Sequence, residues 1–336
     1  MSVRTSTLLL LSCLSLAACA SDPERTSGLS PFLDRALFGP FMDTSACAAV
    51  SDPQGGTDPQ RGTDGVWHRG PARPLRARKD GGPEPQTRVR YKRLDQLVLP
   101  LNNVPALTLA NEQNGVMIVN VAGETREDWA LGLCAESQGE LEASAKKQAD
   151  EVSMTRAGDA MILKAPWLAI GDQETMGTLN IKAPASAPLF ALGSVRVRDM
   201  TGPLFVSAPA YGGIATLIDT SGTVTASGAS LNFAGSKGIV TLAGNQEINL
   251  KITAERFQGT IHARSVGPLH VYIPREFKTA FVVLVTPKKP SLTCHADICS
   301  KLTQAGNAFT YLGDGLNGPN DLHFVSDKEI IIENTN

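Results

Sequence analysis

The densest group of reactive side chains in this chain is Cys294-His-Ala-Asp-Ile-Cys299, two thiols with an imidazole and a carboxylate between them. Two chemistries suit it. The thiols can close a short disulfide loop in an oxidising compartment. Alternatively, Cys294, His295, Asp297 and Cys299 can ligate a metal, but the spacing matches no common zinc pattern and no second ligand pair accompanies it. The expectation is a Cys294–Cys299 disulfide and no metal. His262 and His270 form a second group, eight residues apart, each between apolar neighbours and each at the same outward place of consecutive units, where they either stack or stand as two solvated imidazoles. Arg196 and Arg198 alternate with Val195 and Val197 in the same way. These two arginines and two histidines are the candidate surface-binding residues. Catalysis has less support. Ser221-Gly222 and Ser227-Gly228 build no Gly-x-Ser-x-Gly elbow, and neither His-Glu-x-x-His nor a phosphate loop occurs. Polysaccharide-cleaving β-helices need carboxylates or basic groups clustered on one outer face. The outward groups that could serve are Arg196, Arg198, Asp199, Lys251, Glu255, His262 and His270. No catalytic residue and no cofactor is expected.

The elements that must position these groups are short strands. From about Val104 the sequence becomes a series of brief alternating runs punctuated by glycine: Val116-Met117-Ile118-Val119 follows Gly115, and Met161-Ile162-Leu163 follows Gly158-Asp159. A Gly-x-apolar-x-apolar unit then recurs at Gly193, Gly202, Gly222, Gly238, Gly259 and Gly267, at intervals of 9, 20, 16, 21 and 8 residues. Period-two alternation turns Val195, Val197, Val224, Ile261, Leu269 and Val271 inward, and glycine permits a tight corner before each strand. A strand of this length cannot bury its apolar row alone, whereas stacked rungs cover one another, which is the logic of a β-solenoid. An antiparallel sandwich has strands at similar spacing. The scarcity of Asn-Gly and Asp-Gly turns and the small inward residues Ala226, Ala243 and Ala263 favour the all-β solenoid, a single chain of short stacked strands (β-helix or β-roll). Between the strands, 138–151 reads either as an amphipathic helix with Leu141, Ala145 and Ala149 on one side or as a polar loop.

The first 18 residues read as a signal peptide, with Arg4 ahead of a nine-residue, largely apolar run from Leu8 to Leu16 that is too short to span a bilayer. The run ends in Leu16-Ala17-Ala18-Cys19, which resembles the bacterial lipoprotein signal; the resemblance implies diacylation of the Cys19 sulfur and a mature chain beginning there. Two or three acyl chains hold firmly where one does not. Ala20 stands where an aspartate would favour inner-membrane retention, so the expected place is the bacterial outer membrane, facing the periplasm or the cell surface. Residues 19–92 read as a flexible, disordered tether rich in proline, glycine and arginine, with a short helix near Phe32 to Phe41 limited by Pro40. Arg61 to Arg93 holds ten Lys or Arg against three Asp or Glu, suited to anionic headgroups or simply to an extended linker. The whole chain has a formal charge of −2 and a pI near 6.2, which gives no reason to expect nucleic acid as a partner. With Cys13 and Cys19 set aside, Cys47 and Cys134 are left as a candidate tie between tether and domain.

Leu107-Thr-Leu-Ala-Asn-Glu-Gln-Asn-Gly115-Val-Met-Ile-Val, Asp159-Ala-Met-Ile-Leu163-Lys-Ala-Pro, and Leu179-Asn-Ile-Lys-Ala-Pro184 followed by Gly193-Ser-Val-Arg-Val carry a family resemblance. So do Gly259-Thr-Ile-His-Ala-Arg-Ser-Val-Gly267-Pro-Leu-His-Val-Tyr-Ile-Pro274 and the closing Lys328-Glu-Ile-Ile-Ile-Glu333 after Gly313-Asp-Gly315. Together they resemble the bacterial auto-transporter adhesin head-like domain over 104–333. What that resemblance implies is a β-solenoid displayed outside the cytoplasm, often lipid-anchored, without a family-wide activity. This chain departs from the pattern by inserting Pro287-Lys-Lys-Pro290 and the Cys294–Cys299 loop. The expected role is non-enzymatic display or adhesion, with the membrane as one partner and a glycan or envelope protein as another. The alternatives are a structural or sensory module that receives a partner strand, and, behind it, a polysaccharide-acting enzyme.

Overall fold

The computed structural model describes residues 68–69, 73–74, 87–111, 117–139, 147, 151–164, 174–285, 291–314 and 321–335. Its described elements are strands and one five-residue 3-10 turn. β1 (His68–Arg69), β2 (Arg73–Pro74) and β3 (Thr87–Pro100) are followed by β4 (Leu107–Asn111), β5 (Met117–Glu124), β6 (Asp128–Gly139), β7 (Ser153–Ala157), β8 (Ala160–Lys164) and β9 (Glu174–Pro184). Then come β10 (Leu189–Leu192), β11 (Val195–Arg198), β12 (Leu204–Ser207), β13 (Ile214–Ile218), β14 (Thr223–Gly235), β15 (Lys237–Ile252), β16 (Gln258–Ser265) and β17 (Leu269–Ile273). The chain closes with β18 (Phe281–Val285), β19 (Ser291–Cys294), the 3-10 turn Asp297–Lys301, β20 (Thr303–Ala305), β21 (Ala308–Tyr311), β22 (Asp321–Ser326) and β23 (Glu329–Asn334).

The strands pair in two ladders. The first runs β8, β4, β10, β12, β14, β15, β16, β22, β18, with every neighbour parallel. The second runs β9, β5, β11, β13, β14, β15, β17, β23, β19, again parallel throughout. β14 and β15 are long enough to serve both ladders, with the register shifting between Gly228 and Ser230. Antiparallel pairing is confined to the ends, where β7 covers β8, β6 and β3 cover β9, and β21 and β20 cover β18. The parallel middle excludes the antiparallel sandwich. It also explains the uneven glycine spacing, since steps of 8 or 9 residues carry the chain from one ladder to the other, and the longer steps return it to the same ladder.

One apolar core is shared by both ladders. In the first, Leu189, Leu204, Val224, Val240, Ile261 and Leu322 are in register; in the second, Val121, Val197, Leu217, Phe233, Leu250, Val271 and Ile332 are, and all of these are buried. All six residues expected to point inward do so. Ala226 and Ala263 are buried as expected, but Ala243 is exposed, because it follows Val240 and Leu242 by an odd number of positions and so takes the outward phase. The corner glycines have a reason beyond flexibility. A Cβ on Gly222 would lie 2.4 Å from the Thr201 carbonyl oxygen, and one on Gly259, whose φ is +126°, would lie 2.1 Å from the Gly238 oxygen. Successive corners stack backbone on backbone, leaving no room for a side chain.

Each end of the core is closed. At one end Trp129 is fully buried and its indole Nε1 donates to the Val104 carbonyl at 2.9 Å. At the other end Cys294, in register with Ile332, is bonded to Cys299 in the 3-10 turn, and Ala296 and Ile298 are buried there. Phe277, Phe281, Tyr311 and Phe324 cluster beside this end, with the Tyr311 hydroxyl donating to the Phe277 carbonyl at 2.7 Å. Ion pairs Lys278–Glu255 and Arg256–Asp314 lash the neighbouring loops together.

The sheet begins before the Val104 boundary read from the sequence: β3 pairs with β6 from Val89↔Gly139 to Pro100↔Asp128. Thr87, Val89 and Tyr91 alternate with Arg88, Arg90 and Lys92, so a strand pattern was present beneath the basic charge. The expected signal peptide, Cys19, Cys47 and the helix at Phe32 to Phe41 lie outside the described residues. Of the segment 138–151, β6 takes the first two residues, and most of the rest is likewise outside the described residues.

Candidate binding face

The outward positions of the two ladders are physically different. Those of the second ladder are largely covered. Asn232 Nδ2 donates to Thr216 Oγ1 at 3.2 Å, and Asn249 Nδ2 donates to Asn232 Oδ1 at 3.1 Å and to Glu247 Oε1 at 3.0 Å. Asn232 and Asn249 are only 6% and 4% exposed, so the outward phase of this ladder carries a buried column of amides rather than a wet surface. Asn120 and Asn180 extend the column, joined at 2.9 Å. Arg196 stands in register between Asn120 and Thr216, and His270 in register with Asn249.

Arg198, one step along β11, comes within 3.8 Å of Asp199. Asp199 and Asp219 occupy equivalent corners after β11 and β13, both with positive φ (57° and 50°). Burial, and then the charge of Asp199, raises the Asp219 carboxyl above its ordinary value of 3.8.

The first ladder presents the open face. Its outward positions form a column in register, Phe190, Phe205, Thr225, Thr241, His262 and His323. Beside it run Leu192, Ser207, Ser227, Ala243, Arg264 and Val325. The face is therefore graded along the stack, from aromatic and aliphatic groups through hydroxyls to imidazoles and a guanidinium. Phe190 and Phe205 are each 41% exposed with ring centres 6.4 Å apart, and Leu192 is 46% exposed. Such a contiguous apolar patch on a rigid sheet marks an interaction surface more often than scattered single residues do. A shallow open groove of about 580 Å³ flanks it, lined by Leu192, Ser207, Ala208, Pro209, Ser227 and Gly228. A second, of about 460 Å³, follows the opposite corner along Gly222, Gly238 and Gly259.

The candidates read from the sequence do not converge on one site. Arg196, Arg198 and His270 belong to the second ladder, His262 to the first. His262 and His270 do not stack on each other, because the eight-residue step from Gly259 to Gly267 carries the chain from the first ladder to the second. His262 instead meets His323, 5.1 Å away between ring centres, and His270 lies beside Tyr272 at 6.4 Å. His323 and Arg264 were missed for want of a register, and Phe190 and Phe205 because Leu-Phe-Ala-Leu and Leu-Phe-Val-Ser read as uniformly apolar. The repeated phenylalanine at the second place of both strands was the signal available. The disulfide occupies both Cys294 and Cys299, which removes their thiols from the metal alternative. Among the described residues no three His, Cys, Asp or Glu side chains gather as a metal centre.

No family model matches the chain, and no curated protein matches it. Among solved structures, a candidate cell-adhesion protein from Clostridium sporogenes is 10% identical, covers 72% of this chain and 99% of its own, and superposes with a TM-score of 0.31. A candidate adhesin from Bacteroides fragilis is 9% identical over 71% of this chain and 96% of its own, with a TM-score of 0.37. A candidate lipid-binding protein from Parabacteroides distasonis is 10% identical over 72% and 94%, with a TM-score of 0.25.

Proposed function

We propose that 104–333 is a β-solenoid carrying a non-enzymatic binding face, held to the bacterial outer membrane by lipid on Cys19 and used for display or adhesion. The parallel registers, the stacked corners and the closed ends support the solenoid, in which each strand pair buries the apolar row of the next. The function rests on one observation: Phe190, Leu192 and Phe205 stand exposed together on the first-ladder face, where no folding requirement holds them. Exposed aromatic anchors on a preformed surface fit recognition without turnover. The chain carrying Cys19→Ser should bind to envelope preparations or cells, and the added changes Phe190→Ser and Phe205→Ser should weaken that binding at least about tenfold while circular dichroism stays unchanged. Unchanged binding in the double variant would remove the face from the function. Release of new reducing ends from envelope glycans would defeat the non-enzymatic reading.

A further inference from the structure

We propose that the first-ladder face binds an acidic polysaccharide lying along the stack, which deepens the reading of that face as a binding surface and rests on it. Three observations select this occupant. First, the column from Phe190 to His323 offers one outward group per strand at a repeat of about 4.8 Å, close to the length of one sugar residue in an extended chain. A polymer of regular repeat can meet every strand in turn. A folded protein partner of irregular surface would not match that period along the whole column.

Second, the groups suit sugars in kind. Phe190 and Phe205 offer exposed aromatic rings, a chemistry that packs against the C–H surfaces of pyranoses, and Thr225, Thr241, Ser207 and Ser227 carry hydroxyls able to exchange hydrogen bonds with those of a sugar. Third, the charge is one-sided. Arg264 and His262 are exposed with His323 beside them, and the described side chains of the two columns include no carboxylate. Asp321, in register with Thr260, holds the next position of the same phase on β22, two residues before His323, and is an acidic residue close to these columns in sequence. A guanidinium takes a carboxylate or sulfate in a two-pronged contact. A neutral glycan would use the aromatic end and leave the cationic end idle, so uronate- or sulfate-bearing chains fill the face best.

The test uses the full chain with Cys19→Ser in affinity electrophoresis through gels containing polygalacturonate or dextran. Retardation should be strong with polygalacturonate, weak with dextran, and should fall as salt rises. Arg264→Gln should lower the affinity for polygalacturonate at least about tenfold and flatten its salt dependence, since charge-assisted hydrogen bonds are the strong ones. Lys328→Gln, a change on an exposed turn away from these columns, should leave it unaltered. Thermal unfolding of Arg264→Gln confirms that the variant is folded, and the salt dependence of the unsubstituted protein tests the charge requirement independently. Equal retardation by dextran, indifference to Arg264→Gln, or absence of retardation would each overturn the acidic-polysaccharide assignment. If cell binding still depends on Phe190 and Phe205 in that event, the binding face stands and only its ligand class falls.

Discussion

Replacing Gly222 with alanine separates two reasons a corner can require glycine. Its φ lies outside the left-handed region, so alanine meets no backbone penalty there, but its Cβ would sit 2.4 Å from the Thr201 oxygen and 2.5 Å from the Gly202 oxygen. Those atoms are backbone of the preceding corner and cannot rotate away. Relief requires the corners to part by several tenths of an ångström, which strains the Ser221 N–H to Met200 bond at 2.9 Å and the Ile239 N–H to Gly222 bond at 3.1 Å. Overpacking of this kind costs about 3 kcal/mol. Gly158 is the converse case, with φ of +62° and nothing within 4 Å of an added Cβ. Alanine there pays only for the left-handed conformation, about 1 kcal/mol. In urea unfolding with a slope of about 3 kcal/mol per molar, the midpoints should fall by about 1 M for Gly222→Ala and about 0.3 M for Gly158→Ala. A loss at Gly158 equal to or greater than that at Gly222 would refute the stacking of corners.

Ile261→Ala should cost about 2 to 5 kcal/mol and Thr241→Ala within about 0.5, read from the same unfolding curves, while Asn232→Ala should fall between them because it breaks a buried amide column. Breaking Cys294–Cys299 should cost about 2 kcal/mol, as expected for so short a loop, with hydrogen exchange rising first in 291–305 and not in the middle of the sheet. Asp219→Asn should stabilise the protein near neutral pH. The raised carboxyl favours the folded state only below the unfolded value of 3.8, and that contribution is lost as pH rises through the folded value, so the gain from asparagine should vanish in acid when unfolding is followed against pH. Cys19→Ser should move the protein from membrane to soluble fractions and abolish fatty-acid labelling, and persistent labelling would end the anchor assignment.

What could be read from the sequence follows from how local the cause is. Alternation is local, so the inward side of Val195, Val224, Ile261 and Leu269 was legible, and so was a disulfide between cysteines as near as Cys294 and Cys299. Ladder membership is not local. Nothing within β16 and β17 says that His262 lies beside His323 while His270 lies beside Asn249, because those neighbours are fixed by a register with strands tens of residues away. The outward phase was legible as outward, but its environment was not. Thr216, Asn232 and Asn249 are polar residues that alternation marks as solvated, and stacking in register buries them by letting each satisfy the next. The Phe190 and Phe205 patch was hidden for the opposite reason, since residues that look like core hold the exposed phase.

The order of strands has a consequence for how the molecule is made. β22 pairs with β16 on one side and β18 on the other, and β23 lies between β17 and β19, so the last strands synthesised become interior neighbours of strands made earlier. When β18 and β19 emerge in chain order, their permanent partners have not yet followed. The C-terminal cap can dock only after Asn334 has been made, and until then β16 and β17 offer an open parallel edge. The finished protein thus contains its own proofreading of length: a chain that stops short near residue 320 loses a layer from within, and the disulfide-bonded cap is left without the strands that join it to the core. Truncated products should be recognisable to proteases as open-edged sheets, while the full-length chain presents its cap at that end.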